Sequence, residues 1–254
     1  MTIDCNATLG GWPFRRLAHS TPRDFIELMD EHDIARAWAA PFEGILYKSA
    51  YEANEEFRGK LSGLEHRLTQ IAVVNPTYPL WEDELSEYVD WGVGGLRVYP
   101  SYHGYGLDDP AFAALLEAAG RSSLPVQIVV RVQDERLHHP LAKVAPVELT
   151  GLATIAGQLP HLPLIVLCAN NPEAQSLGGA CPGNVYFDIS HIEGIGGVGK
   201  LADQLGPERL LFGTHAPLLY LDSSVLKMRE ADLADEARDL ILGGNAQRIL
   251  GEGF

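Results

Sequence analysis

Short apolar runs rich in β-branched residues alternate along the chain with longer amphipathic stretches, the rhythm of repeated βα units around a parallel sheet. Eight runs predict strands: Thr2–Asn6, Ile34–Ala39, Leu68–Val74, Gly95–Tyr99, Val126–Val132, Leu164–Cys168, Val185–Ile189 and Leu210–Thr214. A helix is predicted over residues 22–29, with Thr21 as N-cap and Pro22 in the first turn, and another from Asp109-Pro110 to Leu116. The acidic stretch Asp232 to Asp239 reads as a solvated helix face, with Leu233, Ala237, Leu240 and Ile241 on its buried side. Eight strands with intervening helices predict an α/β fold, a distorted TIM-type (β/α)8 barrel in which residues 1–254 form one domain. The segment Asn6-Ala7-Thr8-Leu9-Gly10-Gly11 after the first strand lacks the glycine spacing of a dinucleotide fingerprint, which counts against an open nucleotide-binding sheet.

Composition narrows the function classes. The 254 residues are 46% apolar, enough for one large core. The formal net charge of −15 argues against nucleic-acid or anionic-membrane partners, which select a basic face. A small-molecule ligand, itself anionic if basic residues cluster locally, is the expected partner. The three cysteines, Cys5, Cys168 and Cys181, cannot all pair and show no metal-finger spacing, so a reducing, cytoplasmic setting is expected. The N-terminal residues lack a basic segment followed by an apolar one, and no apolar run is long enough to span a bilayer.

Candidate chemistry lies at strand C-termini, where a barrel of this kind gathers side chains from several strands. Ile3-Asp4-Cys5-Asn6-Ala7-Thr8 at the first strand and Phe212-Gly213-Thr214-His215-Ala216-Pro217 at the last bracket an ordered series of shorter pieces. These include Val74-Asn75-Pro76, Gly95-Leu96-Arg97-Val98-Tyr99-Pro100 and Gly244-Asn245-Ala246-Gln247-Arg248. Together they resemble the amidohydrolase superfamily of metal-dependent hydrolases, in its amidohydrolase-2 (amidohydrolase-related) branch. The resemblance implies a hydrolase or a decarboxylase-like lyase acting on a small carboxylated or cyclic molecule, and a homodimer. It places histidines at Asn6, at Thr8, near Val129 and near Cys168, and an aspartate at His215, so most of the implied metal ligands are replaced. Neutral oxygen groups bind zinc or manganese poorly beside imidazole or carboxylate. Cys168, His191 and His215 are the weak candidates for a zinc site, each with an ordinary reading as a packing or hydrogen-bonding residue. A divalent metal is therefore admitted but not favoured.

A second chemistry uses the arginines. Arg97 and Arg131 form a candidate fork for carboxylate or phosphate, with His215 as general acid or base and Asn6, Tyr99 and His191 contacting substrate. The competing reading pairs Arg97 with Asp4 or Asp188 as an internal ion pair. Loops after the first and fifth strands would cover such a site. Trp12 and Phe14 would line a pocket or plug the barrel, and Arg15 or Arg16 would hold a carboxylate. The adjacent His138 and His139 read as a solvated loop, because neighbouring side chains diverge. Two functions remain open: an enzyme with a non-standard active site, or a metal-free, catalytically inactive ligand-binding barrel.

Overall fold

The computed structural model describes residues 1–140 and 142–251. Eight parallel strands follow one another in sheet order: β1 (Thr2–Leu9), β2 (Ile34–Pro41), β3 (Leu68–Val73), β4 (Gly95–Val98), β5 (Val126–Val129), β6 (Leu164–Leu167), β7 (Val185–Asp188) and β8 (Leu210–Leu211). The helices packed outside include α1 (Pro22–Glu31), α2 (Glu43–Leu46), α3 (Ala50–Leu61), α4 (Trp81–Trp91), α5 (Pro100–His103), α6 (Pro110–Arg121), α7 (Leu152–Gln158) and α8 (Asn171–Ala180). After β7 come α9 (Gly197–Leu205), α10 (Leu221–Glu230), α11 (Asp235–Asp239) and α12 (Asn245–Ile249). The result is a TIM-type barrel.

The capping signals act as the sequence implies. Thr21 accepts the Asp24 amide at 3.3 Å at the head of α1, and Asp109 accepts that of Ala111 at 2.8 Å before α6, each followed by proline. The acidic 232–239 stretch is only partly as expected: α11 spans Asp235–Asp239 and buries none of its residues. Ile241 is fully buried, but it lies in a following π-helical turn, while Leu233, Ala237 and Leu240 are half-buried.

Alternation along the strands divides the core in two. One apolar cluster fills the space between sheet and helices, with Phe25, Met29, Phe112, Leu115 and Phe187 among its members. The other fills the barrel, with Ile3, Cys5, Trp38, Ile71, Val73, Tyr99, Val129, Ile165, Leu167 and Leu211. Closure runs through β1: Cys5 N–H donates to Phe212 O at 2.9 Å, His215 N–H to Asn6 O at 2.8 Å and Thr8 N–H to Ala216 O at 3.1 Å. The predicted eighth strand stops early because Phe212 turns its amide to Ile241 O at 2.8 Å and His215 adopts a left-handed backbone, φ +55°. Among the described residues no helix is long and apolar enough to cross a membrane.

Candidate active site

The mouth begins with an irregularity in β1. Asp4 pairs with Ala37 of β2 but Ala7 with Ala39, so three steps on β1 oppose two on β2. The extra residue shifts the alternation: Ile3 and Cys5 pack inside the barrel, Ala7 and Leu9 pack outside it, and Asn6 and Thr8 turn to the mouth. Bulges beside active sites re-aim side chains in this way. Asn6 Nδ2 donates to Asp188 Oδ2 at 3.0 Å and to Cys168 Sγ at 3.3 Å. Asp188, fully buried at the end of β7, also accepts the Cys168 amide at 2.7 Å and the Ser190 amide at 3.3 Å. Asp4 accepts the Thr214 hydroxyl at 2.6 Å and the Thr214 and Asn6 amides at 3.0 and 2.9 Å. Burial raises the Asp4 carboxyl above its ordinary value, opposed by those donors.

Arg97 departs from both of its sequence readings. It is wholly buried, and its guanidinium meets neutral acceptors: Gln127 Oε1 at 2.7 Å, Thr8 Oγ1 at 2.8 Å, Ala7 O at 3.0 Å and Cys5 O at 3.5 Å. The ion pair with Asp4 or Asp188 does not form, because those carboxylates are occupied by Thr214, Asn6 and backbone amides. The fork with Arg131 does not form either. Arg131 lies beyond the end of β5 and donates to Cys168 O at 2.8 Å and bidentately to Glu173, in the first turn of α8. Val129, two residues earlier, belongs to the barrel interior. Gln127 is the residue that sequence reasoning passed over. It accepts from Arg97 and donates to Cys5 O at 2.8 Å, and its signal was a lone amide inside an otherwise apolar strand.

His215, Tyr99, Cys168 and His191 do meet at the mouth. His215 Nε2 lies 2.6 Å from Val132 O, and a carbonyl can only accept, so Nε2 carries the proton. Nδ1 is then a bare acceptor, buried and without a protein partner. Burial lowers the pKa of this imidazole, opposed by the Val132 carbonyl and Asp188, and keeps it neutral. The Tyr99 hydroxyl is also buried without a well-formed hydrogen bond, Arg97 and Thr8 being its polar neighbours. Burial pushes its pKa up, against the pull of Arg97. The His191 ring stands edge-on to that of His215 at 5.5 Å, and its Nδ1 is 3.1 Å from Ser190 Oγ. Lys227 pins the turn after β7, donating to Ile189 O at 3.2 Å and Ser190 O at 2.5 Å, and burial lowers its pKa.

The loop after β1 supplies a plug. Trp12 is 5% exposed and packs on Phe42 at 5.4 Å, Phe14 at 5.2 Å and Tyr102 at 6.4 Å; Phe14 stacks on His139 at 5.8 Å. Arg15 is drawn away from the expected carboxylate role by a bond to Leu218 O, and with Arg16 it lines a separate cleft against α1. His138 accepts the Val144 amide on Nδ1 at 3.3 Å while His139 faces Phe14, so the adjacent imidazoles diverge as the spacing implies. Beside the mouth, a cleft of about 620 Å³ is lined by Arg131, Arg136, Asn170, His191 and Glu193.

The polar groups of the mouth are engaged with one another: Thr8 Oγ1 accepts from Arg97, and Asn6 donates to Asp188 and Cys168, the two groups best able to ligate. Cys168, His191 and His215 share the mouth, yet among the described residues no three His, Cys, Asp or Glu side chains converge as a metal-holding group.

The family comparison accords with this barrel. The amidohydrolase family profile matches residues 3–251, and the chain belongs to that family. No curated protein matches the sequence. Solved structures share the fold at low identity. The dihydroxybenzoic acid decarboxylase of Polaromonas sp. JS666, with bound manganese and 2-nitroresorcinol, is 16% identical with a TM-score of 0.75, over 98% of this chain and 96% of that one. The 5-carboxyvanillate decarboxylase of Sphingomonas paucimobilis is 15% identical, with a TM-score of 0.74 over 98% of each chain. The probable 2-pyrone-4,6-dicarboxylic acid hydrolase of Acinetobacter baumannii, with citric acid bound, is 16% identical with a TM-score of 0.69, over 98% of this chain and 99% of that one. At such identities these likenesses establish the fold.

Proposed function

We propose that the protein is an enzyme, a hydrolase or a decarboxylase-like lyase acting on a small carboxylated ring bound at the barrel mouth. The carrying observation is the pair of buried, unpartnered polar atoms, His215 Nδ1 and Tyr99 Oη, beside Arg97 and Asp188. Unsatisfied buried groups cost about 1–3 kcal/mol each, and a ligand bearing a donor for His215 and an acceptor for Tyr99 would repay that cost. In this reading His215, neutral and buried, is the general base, and Tyr99 donates to substrate oxygen. Arg97 supplies positive charge with no carboxylate partner to cancel it, and Asn6 orients Asp188 and the thiol. His191 contributes from the cleft side. Arg131 and Arg15, engaged by Glu173 and Leu218, have no part in it.

Family membership supports an enzyme over an inactive binding barrel, and the three named neighbours all carry names of acids with a ring. The test is to measure thermal stabilisation and turnover with 5-carboxyvanillate, 2,6-dihydroxybenzoate and 2-pyrone-4,6-dicarboxylate. One of them should raise Tm and be consumed by the wild type but not by His215→Gln. Absence of both effects with all three acids sinks the reading.

A further inference from the structure

Cys168 directly follows β6 on a left-handed backbone, φ +61°, a conformation that costs a non-glycine residue energy and collects at functional sites. Its Sγ accepts Asn6 Nδ2 at 3.3 Å and lies 3.7 Å from Ser190 Oγ, which lies 3.1 Å from His191 Nδ1. The Ser190 hydroxyl donates to that sulfur, as does the Asn6 amide; turned instead to His191 Nδ1, the same hydroxyl accepts from the thiol, so one rotation of Ser190 makes the chain Cys168–Ser190–His191 a proton relay. His191 in turn lines the cleft of about 620 Å³ beside the mouth, while the thiol itself is enclosed. Two unpartnered buried groups of the same mouth, Tyr99 Oη and His215 Nδ1, mark it as a place for a ligand.

We propose that Cys168 is a catalytic nucleophile and that the mouth hydrolyses an ester or lactone through a thioester on its sulfur. This rests on the mouth being the active site and selects hydrolysis from the two reaction types above. The thiol proton passes to Ser190 as the serine proton passes to His191. The thiolate attacks the carbonyl carbon, forming the C–S bond, and the carbonyl π pair moves to oxygen, where the Tyr99 hydroxyl donates. Collapse breaks the C–O bond to the leaving alkoxide, which recovers the proton held by His191. Water then adds to the thioester, releasing the acid and restoring the thiol, so that ester plus water gives acid plus alcohol. Cys168 is the catalytic residue; Ser190 and His191 position and carry its proton. Cys5 and Cys181 lack this relay, and burial raises both thiols.

The full chain is treated with p-nitrophenyl acetate, nitrophenolate release is followed, and the acetyl group is located by peptide mass spectrometry. The expected adduct is on Cys168, absent from Cys168→Ala, and formed faster in Trp12→Ala, which opens the plug. Ser190→Ala should slow acylation by about a hundredfold, the low end of what a positioned proton acceptor contributes, and Ser190→Thr should restore it. Circular dichroism and Tm certify that each variant is folded, and iodoacetamide labelling provides the same ranking independently of the ester. The proposal is overturned if Cys168 stays unmodified in both wild type and Trp12→Ala, if label falls on Cys5 or Cys181 instead, or if folded Ser190→Ala reacts as fast as wild type. A mouth that binds ring acids yet leaves Cys168 unacylated refutes the nucleophile and spares the site; loss of both refutes the site.

Discussion

Replacing Arg97 by methionine tests whether neutral hydrogen bonding around a buried cation holds the upper barrel together. The guanidinium joins three strands: β4, which carries it; β1, through Thr8 Oγ1 and Ala7 O; and β5, through Gln127. Three contacts of 2.7, 2.8 and 3.0 Å disappear in Arg97→Met. Hydrogen bonds to charged groups contribute about 1.5–3 kcal/mol each, which sets a gross loss of roughly 4.5–9 kcal/mol. Relief of the guanidinium's desolvation offsets several kcal/mol of it, leaving a net loss of about 3–5 kcal/mol, a large part of a typical domain's stability. Arg97→Lys keeps the charge but not the planar fork, and should recover only part of the loss. Gln127→Leu alone removes the donor to Cys5 O and the acceptor for Arg97, at about 1–3 kcal/mol. Because the two residues share a contact, the double variant should be less destabilised than the sum by about 0.5–3 kcal/mol. Urea unfolding at constant m-value supplies all the terms of that cycle. An Arg97→Met variant within about 1 kcal/mol of wild type, or additivity within about 0.5 kcal/mol, would refute the argument.

Three further outcomes are expected. His103, whose pKa burial lowers from 6.5 to about 4, binds its proton more readily unfolded than folded. Stability should therefore fall as pH drops from about 6.5 toward 4, by roughly 2–3 kcal/mol at the lower end, and His103→Gln should flatten the fall in urea midpoints measured across that range. In Gly213→Ala the new Cβ would stand 2.6 Å from Asp188 Oδ2, displacing the hub that holds Asn6 and the Cys168 amide. A cost of about 1–3 kcal/mol and loss of ligand-induced stabilisation should follow; an unchanged Tm with unchanged binding would contradict it. Exhaustive chelation should leave Tm and urea midpoint unmoved, since the described donors do not assemble a metal group. Stoichiometric zinc or manganese in protein purified without chelator, with Tm lowered on its removal, would contradict this.

The barrel was readable because its strands are apolar runs at regular intervals and its helices begin with conventional caps, features that each residue carries locally. The ends of β5 and β8 were misplaced for a non-local reason: Arg131 leaves the strand path to meet Glu173 on α8, and Phe212 gives its amide to Ile241. The site divides in the same way. Tyr99 and Cys168 directly follow β4 and β6, and His191 and His215 lie in the turns after β7 and β8, places that strand counting finds, whereas Asn6 lies within β1. What they bond to depends on the extra residue between Asp4 and Ala7, which no pattern of hydrophobicity announces, since it exchanges inward and outward positions midway along one strand. That bulge brings Asn6 between Asp188 and Cys168 and turns Thr8 to Arg97. It follows that the arginine needs no carboxylate, and that Asp188 is left to bind Asn6, Ser190 and the Cys168 backbone. Removal of the bulge would send Asn6 and Thr8 out of the mouth together. The chemistry of this mouth is therefore set by one backbone irregularity in β1 as much as by the identities of the residues around it.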